Sequence, residues 1–183
     1  MAEIKIQNIV ASAKFSEKLD LDMIAHSVEQ VEYEPEQFPG AVYRLTNPKT
    51  ATLLFKSGRA NCTGAKTIED VHKTIDIISD LLKKLGINVY DNIEIVIQNI
   101  VATADLAGEL NLNEVAVGLG LENVEYEPEQ FPGLVYRLEE PKVALLLFSS
   151  GKMVCAGART FDDVSKAVDN VLEQLSSRGL LHT

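Results

Sequence analysis

Aromatic and thiol side chains with possible functional roles occur in this chain in pairs with a fixed spacing. The segment Glu32–Gly40 returns letter for letter as Glu125–Gly133, so Phe131 follows Phe38 by 93 residues. Cys155 follows Cys62 at the same spacing. A duplicated unit builds an object with approximate two-fold symmetry, which suits a ligand that has such symmetry itself. Duplex DNA is the obvious candidate.

The thiols and imidazoles do not form a pattern that predicts catalysis. Neither cysteine has a CxxC partner, and the repeat would place the two far apart, so we expect small buried side chains rather than a disulfide or a zinc site. His26, His72 and His182 are not repeated and receive no metal or catalytic role. The sequence therefore predicts a protein that is not an enzyme and that needs no cofactor.

The duplication extends over the whole chain. Ile6–Ala11 returns as Ile97–Ala102 at an offset of 91, and Ser57–Thr67 returns in variant form as Ser150–Thr160 at an offset of 93. Such a period is too long for a solenoid. We expect two repeats, residues 1–91 and 92–183, joined intimately into one domain.

Composition bounds the class of protein. The 183 residues are 46% hydrophobic and 24% charged, which is ordinary for a globular protein. No apolar run approaches the ~20 residues that span a bilayer, and the start Met1–Lys5 lacks a secretion signal. We therefore expect an intracellular, cytoplasmic protein.

Net charge first argues against a nucleic-acid partner, because it is −10. The charge is unevenly distributed, however. Residues through Asp91 hold 13 acidic and 11 basic side chains, net −2, whereas the rest hold 14 and 6, net −8. A local basic rim can still bind phosphates on such a protein.

Each half predicts a strand, a helix, several strands and a long helix. A hydroxyl residue followed by an acid three positions later opens the first long helix, and Gly86 ends it. Asp20 or Asp22 is placed to cap the short helix. The predicted strands are Glu3–Ser12, Ala41–Leu45, Thr50–Ser57 and Ala60–Gly64, and the predicted helices are Asp20–Gln30, a long one from Thr67, and Thr160–Leu175.

The strand Lys142–Ser149 is apolar in both of its alternating sets of residues. Strand side chains alternate between faces, so this sheet is apolar on both sides. Two helices in each half can cover one side only, and a large apolar patch left open is characteristic of a binding surface. The alternative is that dimerisation, or packing of the halves face to face, buries the second side.

Five motifs together resemble the TATA-binding protein family, and they cover essentially the whole chain. They are Gln-Asn-Ile-Val, Tyr-Glu-Pro-Glu-Gln-Phe-Pro-Gly, Val-Tyr-Arg-Leu, Leu-Leu-Phe-x-Ser-Gly and Thr-Gly-Ala-Lys with its variant. The acidic balance and near-identical repeats resemble the archaeal members. The resemblance implies an α+β saddle: a curved, ten-stranded antiparallel sheet whose concave face binds DNA, with four helices on the convex face. It also implies a general transcription initiation factor for TATA-box promoters.

The same resemblance implies roles for individual residues. Two phenylalanine pairs are expected to wedge between base pairs in the minor groove, two asparagines to donate to base acceptors, an apolar floor to meet the base edges, and basic residues to contact phosphates. Asn61, Thr63, Val154 and Ala156 lie on the same face, and Asn61 and Ala156 depart from the usual family residues. In chain order the expected DNA-binding residues are Asn8, Val10, Phe38, Arg44, Leu53, Phe55, Arg59, Asn61, Thr63, Lys66, Asn99, Val101, Phe131, Arg137, Leu146, Phe148, Lys152, Val154, Ala156 and Arg159.

Partners are likewise implied by the resemblance. Transcription factor B is expected to bind Glu127, Glu129 and Gln130, and the RNA polymerase pre-initiation complex to follow. A weak homodimer of the free protein and association with the nucleoid of an archaeal cell are also expected. Glu34 and Glu36 of the first repeat lie in the same nine-residue sequence as Glu127 and Glu129. The residues that fix the direction of binding on DNA therefore lie outside this repeated segment.

Two other function classes compete with this interpretation. Related saddle-like repeats occur in base-excision glycosylases, but no Asp or Lys here has a helix-hairpin context. The second class is a protein-interaction module that uses its apolar sheet face as an interface and binds no DNA.

Overall fold

The computed structural model describes residues 2–183, which divide into two compact units. The first unit is Asn8–Gln98. The second unit is Asn99–Thr183 together with the N-terminal residues through Gln7. Each unit therefore contains the end of a strand from the other repeat. The repeat boundary expected at residues 91 and 92 stays a prediction.

The elements follow one another twice in nearly the same order. In the first repeat they are β1 (Glu3–Lys14), α1 (Leu21–Ser27), β2 (Val31–Tyr33), β3 (Ala41–Thr46), β4 (Lys49–Leu54), β5 (Arg59–Ala65) and α2 (Ile68–Lys84). In the second they are β6 (Ile95–Asp105), β7 (Glu109–Leu110), α3 (Leu112–Leu119), β8 (Val124–Glu125), β9 (Leu134–Glu139), β10 (Lys142–Leu147), β11 (Lys152–Ala158), α4 (Phe161–Ser177) and β12 (Leu181–His182).

Ten strands are hydrogen-bonded in the order β2-β3-β4-β5-β1-β6-β11-β10-β9-β8, and β7 pairs with β12 separately. The pairing is antiparallel within each repeat, as in β4 with β5 and β10 with β11. With four helices and two tandem repeats, the predicted α+β fold class is confirmed.

β1 and β6 each serve both units. In the second unit Gln7 Nε2 donates to Thr103 Oγ1 at 3.0 Å. In the first unit the equivalent Gln98 Nε2 donates to Ser12 Oγ at 2.9 Å. The two ends of each long strand therefore belong to different units, and each repeat supplies a strand end to the unit that the other repeat forms.

Helix starts are set by side-chain caps. Thr67 Oγ1 accepts from the Asp70 backbone N–H at 3.0 Å, and Thr160 Oγ1 accepts from Asp163 in the same way, also at 3.0 Å. Asp20, one of the two predicted caps, accepts from Met23 N at 3.1 Å. The long first helix ends before Gly86, which has φ 85° as a C-terminal glycine requires.

Two predicted ends were wrong. Helix α1 stops at Ser27 rather than Gln30, because Val28 is already extended and leads into β2. Strand β4 stops at Leu54 rather than Ser57. There Phe55 N donates to Arg59 O at 2.9 Å and Gly58 N donates back to Phe55 O at 2.9 Å, so Phe55–Arg59 is a closed turn.

The core of each unit lies on one side of its strands only. In the first unit Ile9, Leu54 and Cys62 are buried with Ile75 and Ile78 of α2. The alternate strand residues, such as Val10 and Leu53, stay half-exposed. Helices thus cover one face of each unit's strands, as the sequence predicted, and leave the other open. Among residues 2–183, no helix has the length and apolar character that crossing a membrane demands.

Candidate nucleic-acid interface

Each unit presents an uncovered strand face, which we call the open face. It is formed by the strand residues that alternate with the core and by the phenylalanine that directly follows β4 or β10, all of them half-buried or exposed. In the first unit these include Asn8, Val10, Leu53, Phe55, Asn61 and Thr63, and in the second Asn99, Val101, Leu146, Phe148, Val154 and Ala156. The structure therefore brings the predicted base-contacting residues of each repeat onto one surface per unit.

The two phenylalanine pairs have matching geometry. The ring centroids of Phe38 and Phe55 are 6.0 Å apart with an interplanar angle of 64°. Those of Phe131 and Phe148 are 6.0 Å apart at 67°. Phe38 and Phe131 are 41% and 42% exposed, although aromatic side chains of this size are usually buried. Each edge-to-face pair is a partly exposed apolar projection, which we call a wedge.

A glycine in each unit leaves the space that the two rings of the wedge occupy. At Gly40 an added Cβ would lie 2.8 Å from Phe38 Cε2 and 3.0 Å from Phe55 Cε1. At Gly133 the corresponding distances to Phe131 and Phe148 are 2.7 and 2.9 Å. Any larger residue would push the rings apart, which explains why the Phe-Pro-Gly sequence occurs in both repeats.

Backbone amides fix the two asparagines. Asn8 Oδ1 accepts from Gly64 N at 2.7 Å, and Asn99 Oδ1 accepts from Gly157 N at 2.7 Å. This assignment leaves each Nδ2 as a donor on the open face. Sequence reasoning found the asparagines but not these glycine partners; the repeated Gly-Ala that follows each strand cysteine was the available signal.

The asparagines differ in what surrounds the donor. Asn8 Nδ2 donates to Thr63 Oγ1 at 3.1 Å. The position equivalent to Thr63 is Ala156, which has no acceptor in its side chain. Within residues 2–183, Asn99 Nδ2 forms no hydrogen bond. The second unit thus offers a freer donor than the first.

The predicted phosphate-contacting residues are all exposed, but they are not equivalent. Arg137 Nη1 lies 2.6 Å from Glu125 Oε1, a surface ion pair. Sequence reasoning missed it, and repeat symmetry gives no signal for it, because the counterparts Arg44 and Glu32 form no ion pair within the described chain. The remaining members are Arg59, Lys66, Lys152 and Arg159, and within residues 2–183 none of them forms an ion pair.

The expected partner-binding residues lie in an exposed turn. Gln130 N and Phe131 N both donate to Glu127 O, at 2.9 and 3.0 Å. The turn in the first unit is identical, with Gln37 and Phe38 donating to Glu34 O at 3.0 Å. The repeated letters therefore produce the same local structure, and the turn alone cannot tell one unit from the other.

Cys62 and Cys155 are buried and free, as predicted. Burial raises the pKa of Cys155 to about 11 and also raises the pKa of Cys62. Both thiols therefore stay protonated near neutral pH and are poor nucleophiles. In the part of the chain that the structure describes, no group of three or more His, Cys, Asp or Glu residues could hold a metal ion.

Comparison with known proteins agrees with the fold and the repeats. A family model described as transcription factor TFIID, or TATA-binding protein, matches residues 3–85 and 94–177. A TATA-box-binding protein of Picrophilus torridus is 61% identical over 99% of this chain and 98% of its own, and one from Thermoplasma volcanium is 60% identical over 98% and 97%. The solved structure of Methanococcus jannaschii TBP, 51% identical, covers 96% of this chain and 99% of its own with a TM-score of 0.88.

Proposed function

This chain belongs to the TATA-binding protein family, a non-enzymatic family of transcription factors, and from that premise we propose that it binds the minor groove of A/T-rich TATA-box promoter DNA. It kinks the duplex with its two phenylalanine pairs and acts as a general initiation factor at the nucleoid of an archaeal cell. Residues 1–91 and 92–183 supply its two repeats.

The observation that carries this proposal is the exposed wedge beside an open apolar face, present once in each unit. In each unit the two rings lie 6.0 Å apart, edge to face. Such a pair can enter a base step and replace the stacking between the parted bases with its own apolar contact. TATA-binding proteins are themselves the established example of kinking by inserted apolar side chains.

The open face also accounts for a preference for A·T pairs. The minor groove of an A·T pair offers only N3 and O2 acceptors, whereas a G·C pair adds an amino group. Asn8 and Asn99 present amide donors to such acceptors. Val10 and Leu53 in the first unit, and Val101 and Leu146 in the second, form apolar surface with no acceptor for the guanine amino group.

The exposed basic residues bind the DNA phosphate backbone and fix the position of the protein along the duplex. These contacts carry little sequence information. Arg44, Arg59 and Lys66 do so in the first unit and Arg137, Lys152 and Arg159 in the second. Because the whole protein carries a charge of −10, acidic surface opposes this attraction at long range. Asn61, Thr63, Val154 and Ala156 tune the finer sequence preference.

The experiment that tests this function compares binding to an A/T-rich duplex with binding to a G·C-rich duplex of equal length. We expect a shifted band with the A/T-rich duplex alone at moderate salt, together with a bend measured by energy transfer between the duplex ends. Sedimentation of the free protein tests the competing idea of an apolar protein interface. A stable homodimer that persists with DNA present, and no bending, would favour that alternative.

Glu127, Glu129 and Gln130 bind transcription factor B, and the RNA polymerase pre-initiation complex assembles on this chain together with transcription factor B. The supporting observation is that all three side chains are exposed in a hydrogen-bonded turn of the acidic repeat, which suits a basic partner surface. Glu127→Arg is expected to abolish assembly with the partner while bending of bare DNA remains. Glu34→Arg in the identical first turn is the matched control, and equal loss from both variants would contradict the assignment.

A further inference from the structure

Beside the first wedge, two segments of the first unit lie next to each other. Phe15 N donates to Gly58 O at 2.8 Å, and Leu19 N donates to Lys56 O at 3.0 Å. These bonds join Lys14–Leu19 to the turn Phe55–Arg59, which contains the wedge residue Phe55 itself. We call the two segments together the first flank.

The second unit contains the same construction. Leu106 N donates to Gly151 O at 2.9 Å, and Leu110 N donates to Ser149 O at 2.9 Å. Asp105–Leu110 and Phe148–Lys152 form the second flank. The bonds that join the two segments are thus equivalent in both flanks, although Glu109 and Leu110 of the second flank also pair with β12 and Phe15 O of the first flank also accepts from Tyr90 N.

Charge is the main difference. The first flank carries four basic residues and one acidic residue, Glu17, and is therefore net +3. The second flank carries two acidic residues and one basic residue and is net −1. The basic residues of the first flank are Lys14, Lys18, Lys56 and Arg59, and the charged residues of the second are Asp105, Glu109 and Lys152.

The neighbouring strand ends do not cancel this difference. In the second unit Glu3 and Lys5 line a cleft of about 670 Å³ with Asp105, Phe148 and Lys152, and their two charges offset each other. Glu94 and Val96 occupy the positions equivalent to Glu3 and Lys5, and they contribute one negative charge to the first unit. With these residues included, the first flank is +2 and the second is −1.

The strand register makes the contrast sharper. Lys14 lies directly opposite Arg59, a like-charge pair that costs stability in an antiparallel sheet. Asp105 lies directly opposite Lys152, a pair of opposite charges. The acid paired with Lys14 is Glu17, at 3.9 Å, and within residues 2–183 Lys18, Lys56 and Arg59 form no ion pair. An exposed cluster of this kind suits a polyanion.

We propose that the first flank binds the DNA phosphate backbone beside the base step opened by Phe55, and that it does so more strongly than the second flank, where Lys152 is the one basic residue. The two flanks then differ in their affinity for phosphate, so neutralising the phosphates on one side of an A/T-rich element should select the direction in which the protein binds. This inference rests on the proposed DNA-binding function and names the residues that cause the difference.

A duplex with a palindromic A/T-rich element tests the inference, because its central sequence is the same in both directions. The phosphates that border the element on one side are replaced by uncharged methylphosphonates. Since Cys62 and Cys155 are buried, a cysteine introduced at exposed His72 accepts a donor dye in the first unit. An acceptor dye on one duplex end then reports direction. We expect the first unit on the charged side, roughly threefold or more over the reverse.

The variant K18E/K56S gives the first flank the residues of the second flank at two positions, Glu109 and Ser149. It lowers the net charge of the first flank by three. We expect the orientation ratio to fall to about 1 and the salt slope of binding to decrease by roughly 1–2, at about 0.9 for each phosphate that the variant no longer neutralises. The control K83E/K84S makes the same change of charge in the exposed last turn of α2 and should keep the ratio.

The reciprocal variant E109K/S149K adds three positive charges to the second flank. It should bring the orientation ratio toward 1 by strengthening phosphate binding at the second flank rather than weakening it at the first. Binding of the wild-type protein in both directions equally, or equal loss of preference in the control and the flank variant, would overturn the inference while leaving the DNA-binding function intact. Failure of the wild-type protein to bind the unmodified A/T-rich duplex would overturn the proposed function, and this inference with it.

Discussion

The two units share the geometry of their phenylalanine pairs and asparagines, and they differ in the polar side chains around these residues. The Phe pairs have the same centroid distance, and the asparagines accept from equivalent glycine N–H groups at the same distance. By contrast, Thr63 of the first repeat is replaced by Ala156 in the second, and Arg137 has an ion-pair partner that Arg44 lacks within the described residues. The geometry of the apolar residues is the same in both units, whereas charge and hydrogen bonding distinguish one unit from the other.

Removal of one wedge at a time tests whether the two units contribute equally to DNA bending. Because the two pairs have the same geometry, Phe55→Ala and Phe148→Ala should reduce the bend angle equally. The double variant should bind about a hundredfold more weakly, since two large aromatic side chains are removed from the interface. End-to-end energy transfer and titration measure both quantities.

The salt slope of this double variant should remain that of the wild type, because the phosphate contacts are unchanged. If the affinities of the two single variants differ by more than about tenfold, or if bending persists in the double variant, the wedge assignment is wrong.

The second test concerns the turns that carry the wedges. A Cβ at position 58 would lie 1.9 Å from Ser16 O, and one at position 151 would lie 1.8 Å from Gly108 O. Both glycines have positive φ, 85° and 89°. Gly58→Ala and Gly151→Ala should therefore each lower the free energy of unfolding by about 2–4 kcal/mol.

Gly86→Ala provides the control for backbone strain alone. Gly86 also has φ 85°, but its added Cβ would meet nothing within 4 Å, so we expect the free energy of unfolding to fall by about 1 kcal/mol. Urea unfolding measures all three. A Gly58→Ala variant that is as stable as Gly86→Ala would show that the two segments of the first flank are not tightly packed.

The third test sharpens the contrast at the asparagines. Thr63→Ala removes the acceptor of Asn8 Nδ2 and makes the first unit resemble the second. Affinity for the A/T-rich duplex should rise by up to about 1 kcal/mol, the net value of one hydrogen bond, because the freed Asn8 Nδ2 can donate to a base acceptor without giving up an internal partner. A double-mutant cycle with Asn8→Ala checks whether the two residues act together, and additive effects would contradict that.

The smallest expected effect is at the Arg137 ion pair. Both side chains are largely exposed, so the pair contributes little stability. Glu125→Gln should leave unfolding unchanged but free Arg137 for phosphate, which raises affinity about two- to threefold and the salt slope by up to about 1. Glu32→Gln in the first unit is the control, and an equal gain there would mean that the pairing has no role in binding.

The sequence predicted local features well where a single residue type decides the structure. A hydroxyl with an acid three residues on predicted the caps at Thr67 and Thr160, and both form at 3.0 Å. Apolar residues in both alternating sets of a strand predicted that the helices leave one face open. The ends of α1 and β4 were wrong because the apolar pattern continues past them, whereas an adjacent strand and a closed backbone turn stop them.

The site was predicted in its composition but not in its polar details. Repeat symmetry together with the family resemblance selected the phenylalanines and asparagines. Symmetry could not predict the Arg137–Glu125 pair, because within the described chain the same residue types at Arg44 and Glu32 do not pair. Nor could it assign the charges of the two flanks, because each flank forms only when two segments far apart along the chain are hydrogen-bonded together.

The shared ends of β1 and β6 have a consequence for a single repeat. Each unit contains a strand end from the other repeat. A single repeat released on its own would lack that strand end and would leave an exposed row of backbone donors and acceptors, which favours association with a second copy. Covalent linkage of the two repeats in one chain removes the need for such association.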